Sequence, residues 1–167
     1  SMGLNCKIIE VIMKHGGLET INRKFSGLTV LFKALLSNAW PSSFVCNFIM
    51  MYKDRLDITV TDDQKNTYLH ACVTAKNVEA ALIILEHYPK ETVQQLILQQ
   101  NDQGNTVLHL ACDLESLFFA EYLLTKYGLG DDIVQKLLQT KNTLDEVPGQ
   151  KATRLSKQTS IVLFSLF

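Results

Sequence analysis

Asn101-Asp102-Gln103-Gly104-Asn105-Thr106-Val107-Leu108-His109-Leu110-Ala111-Cys112 opens as a turn and closes as a helix. Gly104 supplies the positive φ that a tight turn needs. Thr106 is placed to cap a helix, because its hydroxyl accepts from backbone N–H groups two or three residues on. Leu108 and Ala111 fall three apart, on one helix face, and His109 sits beside them, where its ring reaches a neighbouring turn.

The stretch has a copy in Asp62-Asp63-Gln64-Lys65-Asn66-Thr67-Tyr68-Leu69-His70-Ala71-Cys72-Val73. Thr67 and Thr106 are 39 apart, and so are His70 and His109. Two matches in register imply a repeat, and a repeat sets the architecture of the whole chain.

These residues resemble the ankyrin-repeat family, whose motif is G-x-T-P-L-H-x-A. Gly104, Thr106, Leu108, His109 and Ala111 fill its slots in one copy, and Thr67, Leu69 and His70 in the other. The proline slot holds Tyr68 and Val107, a mild departure, since a non-proline residue also starts a helix there. The resemblance implies an all-α solenoid of stacked helix-turn-helix pairs. It also implies a structural histidine that bonds between adjacent turns.

Composition agrees with one folded domain. The 167 residues are enough for a real core. A formal net charge of −1 gives no reason to expect nucleic acid or a membrane surface as partner. No apolar run approaches the roughly 20 residues that cross a bilayer. Ser1-Met2-Gly3 is followed by no signal-peptide pattern, and Ser1-Met2 reads as a cloning scar on a fragment of a longer protein. Cys6, Cys46, Cys72 and Cys112 are scattered among apolar residues with no C-x-x-C pair. They read as buried free thiols in a reducing compartment, cytoplasm or nucleus.

Outward from the two clear copies, the pattern extends in both directions. Ile8, Ile9, Ile12 and Met13 form a helical stripe that stops at Gly16-Gly17, like the second helix of a partial repeat over 3–23. Gly27, Thr29, Leu31 and Ala34 fill the slots of a degenerate repeat over 24–61, but Phe32 replaces the histidine. A phenyl ring fills that volume without making the polar contact. Pro41 marks a long loop, and Phe44–Met51 follows as a second helix apolar nearly all round. The repeat over 62–100 has helices from about Thr67 to Thr74 and Val78 to His87, with Ala81, Ile84 and Leu85 inward. The repeat over 101–147 has its second helix over Leu117–Leu124, with Ala120, Leu123 and Leu124 in the same positions. Glu91–Gln100 and Asp132–Gln139 match each other and predict a short extra helix in each lengthened repeat. A degenerate capping repeat is expected over 148–167, opening near Thr153 and ending in an apolar tail, Ser160–Phe167, folded on the stack or left as a cut edge.

Several residue groups invite chemistry. His70 with Cys72, and His109 with Cys112, are zinc-ligand types, but the thiols fall in different packing slots. No metal site is expected, and no cofactor. A Cys–His nucleophile pair lacks an orienting group and an oxyanion site, and no phosphate-cradling glycine motif is present, so catalysis is not expected. Phe118, Phe119 and Tyr122 lie at helical spacing and read as core before ligand stacking. Trp40 reads as packing over helix ends before a binding anchor.

Function follows from the resemblance. Ankyrin arrays bind proteins, so the expected role is a scaffold or recognition module within a larger intracellular protein, monomeric by itself. The alternatives are a regulatory inhibitor of the inhibitor-of-NF-kappa-B type and, more remotely, a thiol- or metal-dependent enzyme. The family's concave face and turn tips place the partner surface at Asp62, Asp63, Gln64, Asn66, Thr74 and Ala75 in one repeat. The next repeat contributes Asp102, Gln103, Asn105, Asp113 and Leu114, with Leu114 as apolar anchor. The acidic members predict a basic partner segment, against the plainer reading of solvated turn charges.

Overall fold

The computed structural model describes residues 18–37, 40–113 and 116–150. The expected helix over Cys6–Gly17, the anchor Leu114, Thr153 and the tail Ser160–Phe167 lie outside these residues. Among the described residues there are eight α-helices and no strand; a lone bridge joins Phe25 and Leu28. The chain forms two compact units, Ser1–Tyr88 and Pro89–Phe167.

The first unit holds two helix pairs, α1 (Val30–Leu36) with α2 (Ser42–Tyr52) and α3 (Tyr68–Thr74) with α4 (Val78–His87). The threonines start the short helices. Thr29 and Thr67 have extended backbones, and each hydroxyl accepts from the N–H three residues on, at Phe32 and His70. A left-handed Lys76 (φ 54°) ends α3, and the Asn77 N–H reaches back to the Cys72 carbonyl at 2.8 Å. The Asn77 side chain then accepts from the Ala80 N–H at 3.1 Å and starts α4. One residue thus closes one helix and opens the next, which makes the hairpin tight. First helix packs on first helix and second on second, α1 against α3 and α2 against α4. Residues Tyr68 to Val73 are all buried, and so are Ala81, Ile84 and Leu85 as expected.

The second unit runs α5 (Lys90–Leu98), α6 (Val107–Asp113), α7 (Leu117–Glu121) and α8 (Asp131–Gln139). Helices α5 and α8 are the short additions inferred from the sequence. Val93, Leu96 and Ile97 bury the apolar side of α5, and Leu137 that of α8. The Lys90 ammonium caps the end of the segment before α8, donating to the Gly128 carbonyl at 2.9 Å.

One expectation changes here. Leu117–Leu124 is not one regular helix. After Glu121 the backbone widens into a π-turn over Tyr122–Lys126, and the Tyr127 N–H bonds the Tyr122 carbonyl, five residues back, at 2.8 Å. The widened turn keeps Leu123 buried but leaves Leu124 only half-buried. A turn of the same build as the motif's also lies near the end of the repeat expected over 101–147. Asn142–Glu146 reproduces the turn at Asn101–Asn105, and Pro148 occupies the motif's proline slot. Its glycine slot holds Asp145 (φ 62°), which hides the likeness in the sequence.

Candidate functional site

Three turns share one construction. In each, the side-chain oxygen of an Asp or Asn accepts from the N–H groups two and four residues on. Asp62 Oδ1 takes those of Gln64 and Asn66, at 2.9 and 2.8 Å. Asn101 Oδ1 takes those of Gln103 and Asn105, both at 3.0 Å. Asn142 Oδ1 takes those of Leu144 and Glu146, at 2.9 and 3.1 Å. The first copy has Lys24 at this position, which cannot accept. It turns instead through Ser26 and Gly27, both at positive φ, with Phe25 and Leu28 paired across them.

Gly27 and Gly104 both have positive φ. A Cβ on Gly27 would meet the Asp63 carboxylate, the end of an exposed side chain that can turn aside. One on Gly104 would lie 2.7 Å from the Thr143 backbone nitrogen. In the second unit, the two turns are cross-braced. Thr143 donates to the Gln103 carbonyl through its N–H (3.0 Å) and its hydroxyl (2.9 Å). The Asn142 amide donates to Asn105 Oδ1 at 3.0 Å. Gln100 bridges the Gly104 and Lys141 carbonyls.

The buried histidines tie the turns to the helices. Thr106 N–H donates to His109 Nδ1 at 3.1 Å, so Nδ1 carries no proton. Nε2 therefore bears the hydrogen and donates to the Glu146 carbonyl, 3.1 Å away and 37 residues on. Burial pushes the His109 pKa below its ordinary value, against the pull of that carbonyl. His70 makes the same approach to Thr67, at 3.2 Å from its N–H and 2.8 Å from its hydroxyl. Thr67, Leu69, Thr106, Leu108 and Ala111 are buried around the two rings.

The first copy solves the same problem differently. Phe32 fills the histidine slot and leaves Thr29 without an imidazole. The phenol of Tyr68, in the proline slot of the next copy, takes over. It lies 2.7 Å from Thr29 Oγ1, and its ring stacks on Phe32 with centroids 4.3 Å apart. Burial raises the Tyr68 pKa to about 12, so the phenol keeps its proton at neutral pH. The missing polar contact is thus supplied from one repeat further along, an arrangement that only the pairing of Phe32 with Tyr68 in sequence could have suggested.

The proposed contact residues sort by what they already hold. Asp62 is buried, and its two oxygens accept three bonds, two from the backbone and one from the Asn66 amide. It organises the turn, and little of it is left exposed at the contact surface on which the sequence places it. Asn105 is likewise buried, and Asn66, Ala75 and Asp113 are half-buried. Asp63, Gln64, Thr74, Asp102 and Gln103 are exposed. Lys65 interrupts the acidic tip of the first unit, at φ 59°. Leu144, which the sequence did not single out, is 74 % exposed at the tip where the other copies carry Gln64 and Gln103. A comparison of turn copies in register would have found it.

Chemically reactive groups are quenched by burial. The thiol pKa rises to about 11 at Cys46 and about 12 at Cys112, and higher still at Cys72, mainly through desolvation. Among the described residues no three His, Cys, Asp or Glu side chains gather as metal ligands. Trp40 packs edge-on against Phe44 at 4.7 Å, over the start of α2. Phe119 is core, whereas Phe118 is 58 % exposed, so the aromatic cluster divides between inside and outside. No described helix is long and apolar enough to cross a membrane.

A family model described as ankyrin repeats (3 copies) matches residues 42–136. No curated protein matches the chain. Among solved structures, the Bd0816 predatory endopeptidase from Bdellovibrio bacteriovorus in complex with immunity protein Bd3460 contains a similar chain. The two are 17 % identical, with a TM-score of 0.43 over 96 % of this chain and 91 % of that one. A likeness of that size does not bear on function.

Proposed function

This chain belongs to the ankyrin-repeat family, and from that premise we propose that it is a protein-binding module, a scaffold or recognition domain that holds a basic partner segment at its turn tips. The cross-bracing of the Asn101–Asn105 and Asn142–Glu146 turns carries this reading. A braced tip loses little conformational entropy when a partner docks. Asp102 offers charge there, Gln103 hydrogen bonds, and Leu144 an apolar contact. Leu144 takes the anchoring role that the sequence assigned to Leu114. In the first unit, Asp63, Gln64 and Thr74 play the corresponding parts.

The test is an NMR titration with a flexible peptide of lysine, arginine, glycine and serine. Amide shifts should concentrate at 63–66, 102–105 and 143–145, and binding should weaken with salt. Asp102→Lys should slow association and flatten the salt dependence while leaving the fold intact, since exposed turn charges contribute little to stability. Asp63→Lys is the less clean reversal, because that carboxylate packs against Gly27. Peptide binding untouched by both reversals together removes the tips from the partner surface.

A further inference from the structure

We propose that Ser26 is a phosphorylation site, a serine hydroxyl presented to an arginine-directed protein kinase at the first hairpin of the first unit. The site does not depend on the basic-partner reading above. Of the three arginines in the chain, Arg23 alone has a hydroxyl side chain three residues on, and Lys24 follows it directly. A kinase cleft lined with carboxylates reads such a pair of cations, the guanidinium through bidentate bonds and the ammonium as a point charge.

The fold makes this serine available. Arg23, Lys24, Phe25 and Ser26 are all exposed, in a stretch whose two ends are fixed. Asn22 holds one end, donating to the Arg55 carbonyl and accepting from the Asp57 N–H, both at 2.9 Å. Thr29 holds the other, fully buried as the cap of α1. Between them the hairpin closes on two backbone bonds. The Phe25 N–H donates to the Leu28 carbonyl at 2.8 Å, and the return bond is longer, at 3.4 Å. So small a closure opens locally while the helices stay folded. Ser26 stands at the tip with φ 54°, and among the described residues its hydroxyl makes no hydrogen bond. A left-handed serine is strained, so extension into an enzyme cleft relieves strain at that residue. The Arg23 guanidinium already lies on the same tip, over the Phe25 ring at 5.5 Å from its centroid.

In the transfer, the Ser26 oxygen attacks the γ-phosphorus of ATP. A new O–P bond forms as the bond to the bridging oxygen breaks, ADP leaves, and the hydroxyl proton passes to the kinase's aspartate base. The phosphate adds about −1.5 to −2 charge at pH 7. Arg23 gains a doubly accepting partner three residues away. The Asp63 carboxylate, which lies against Gly27, meets a like charge and is pushed aside, so the modification reaches the neighbouring turn.

The test incubates the folded full chain with magnesium ATP and the catalytic subunit of cyclic-AMP-dependent protein kinase, an arginine-directed enzyme. Fragmentation mass spectrometry then locates the phosphate. Modification of Ser26 is expected, and Ser26→Ala should lose it. Arg23→Ala should slow the transfer about ten-fold, the loss of one charge-assisted contact, and Arg23→Lys should keep part of the rate. Amide spectra of the variants, unchanged away from each substitution, check that the fold survives. In the phosphorylated protein, amide shifts should reach Asp63 as well as Gly27. The proposal is overturned if no phosphate enters, if it enters other residues and not Ser26, if only the heat-unfolded chain accepts it, or if Arg23→Ala reacts as fast as the parent. This readout is a covalent mass at Ser26, whereas the basic-peptide titration reports reversible amide shifts, so either reading can fail alone.

Discussion

The phenolic oxygen of Tyr68 lies 2.7 Å from the hydroxyl of Thr29, 39 residues earlier, both side chains being fully buried. In the other copies the threonine is served by an imidazole three residues on. Here it is served by the next repeat, because Phe32 has taken the imidazole's place. The two departures from the family pattern, Phe32 and Tyr68, compensate each other.

Tyr68→Phe should therefore cost about 1–2 kcal/mol in urea denaturation, the cost of a buried hydroxyl left short of a partner. Adding Phe32→His to that variant should recover part of the loss, since an imidazole at that slot reaches its threonine in the other copies. The same Phe32→His change in the parent should bring no gain. Additive effects of the two substitutions would mean that the positions are not coupled.

His109→Ala should destabilise by about 2–3 kcal/mol, because it strands both the Thr106 N–H and the Glu146 carbonyl. His109 also predicts a pH dependence. Its folded pKa lies below the ordinary 6.5, so below that pH the unfolded chain takes up the proton first. The stability linked to His109 is complete above pH 6.5 and is lost as pH falls through the lower, folded pKa. Urea midpoints measured downward from pH 7 should fall more steeply in the parent than in His109→Gln. Equal slopes would remove His109 as the source.

Gly104→Ala separates two roles of one residue. A left-handed alanine costs about 1–2 kcal/mol by itself. At Gly104 the Cβ would also press on the Thr143 nitrogen at 2.7 Å and the Asn142 Cα at 2.9 Å. Gly128 has a similar φ of +76° with nothing within 4 Å, so Gly128→Ala measures the backbone term alone. Gly104→Ala should lower the thermal midpoint clearly further than Gly128→Ala. Equal losses would mean that the turns do not need their close approach.

The sequence by itself determined the repeat, the capping threonines, the buried histidines and the extra helices. Each of these is written locally, as a turn residue, a hydroxyl three residues before its partner, or an apolar stripe at helical spacing. Tertiary structure decided what depends on residues from two copies at once. Asp62 looked like a surface charge, yet three N–H groups of its own turn consume it. Asp145 disguised a turn whose identity rests on Asn142 and on the carbonyl it offers His109 through Glu146. Phe32 looked like a lost contact until Tyr68 arrived from the next repeat. Phe118 and Phe119 are identical side chains in adjacent positions, and the sequence grouped both with the core. Only the path of the helix, set by its packing and by the π-turn that follows, sends one inward and the other out to solvent.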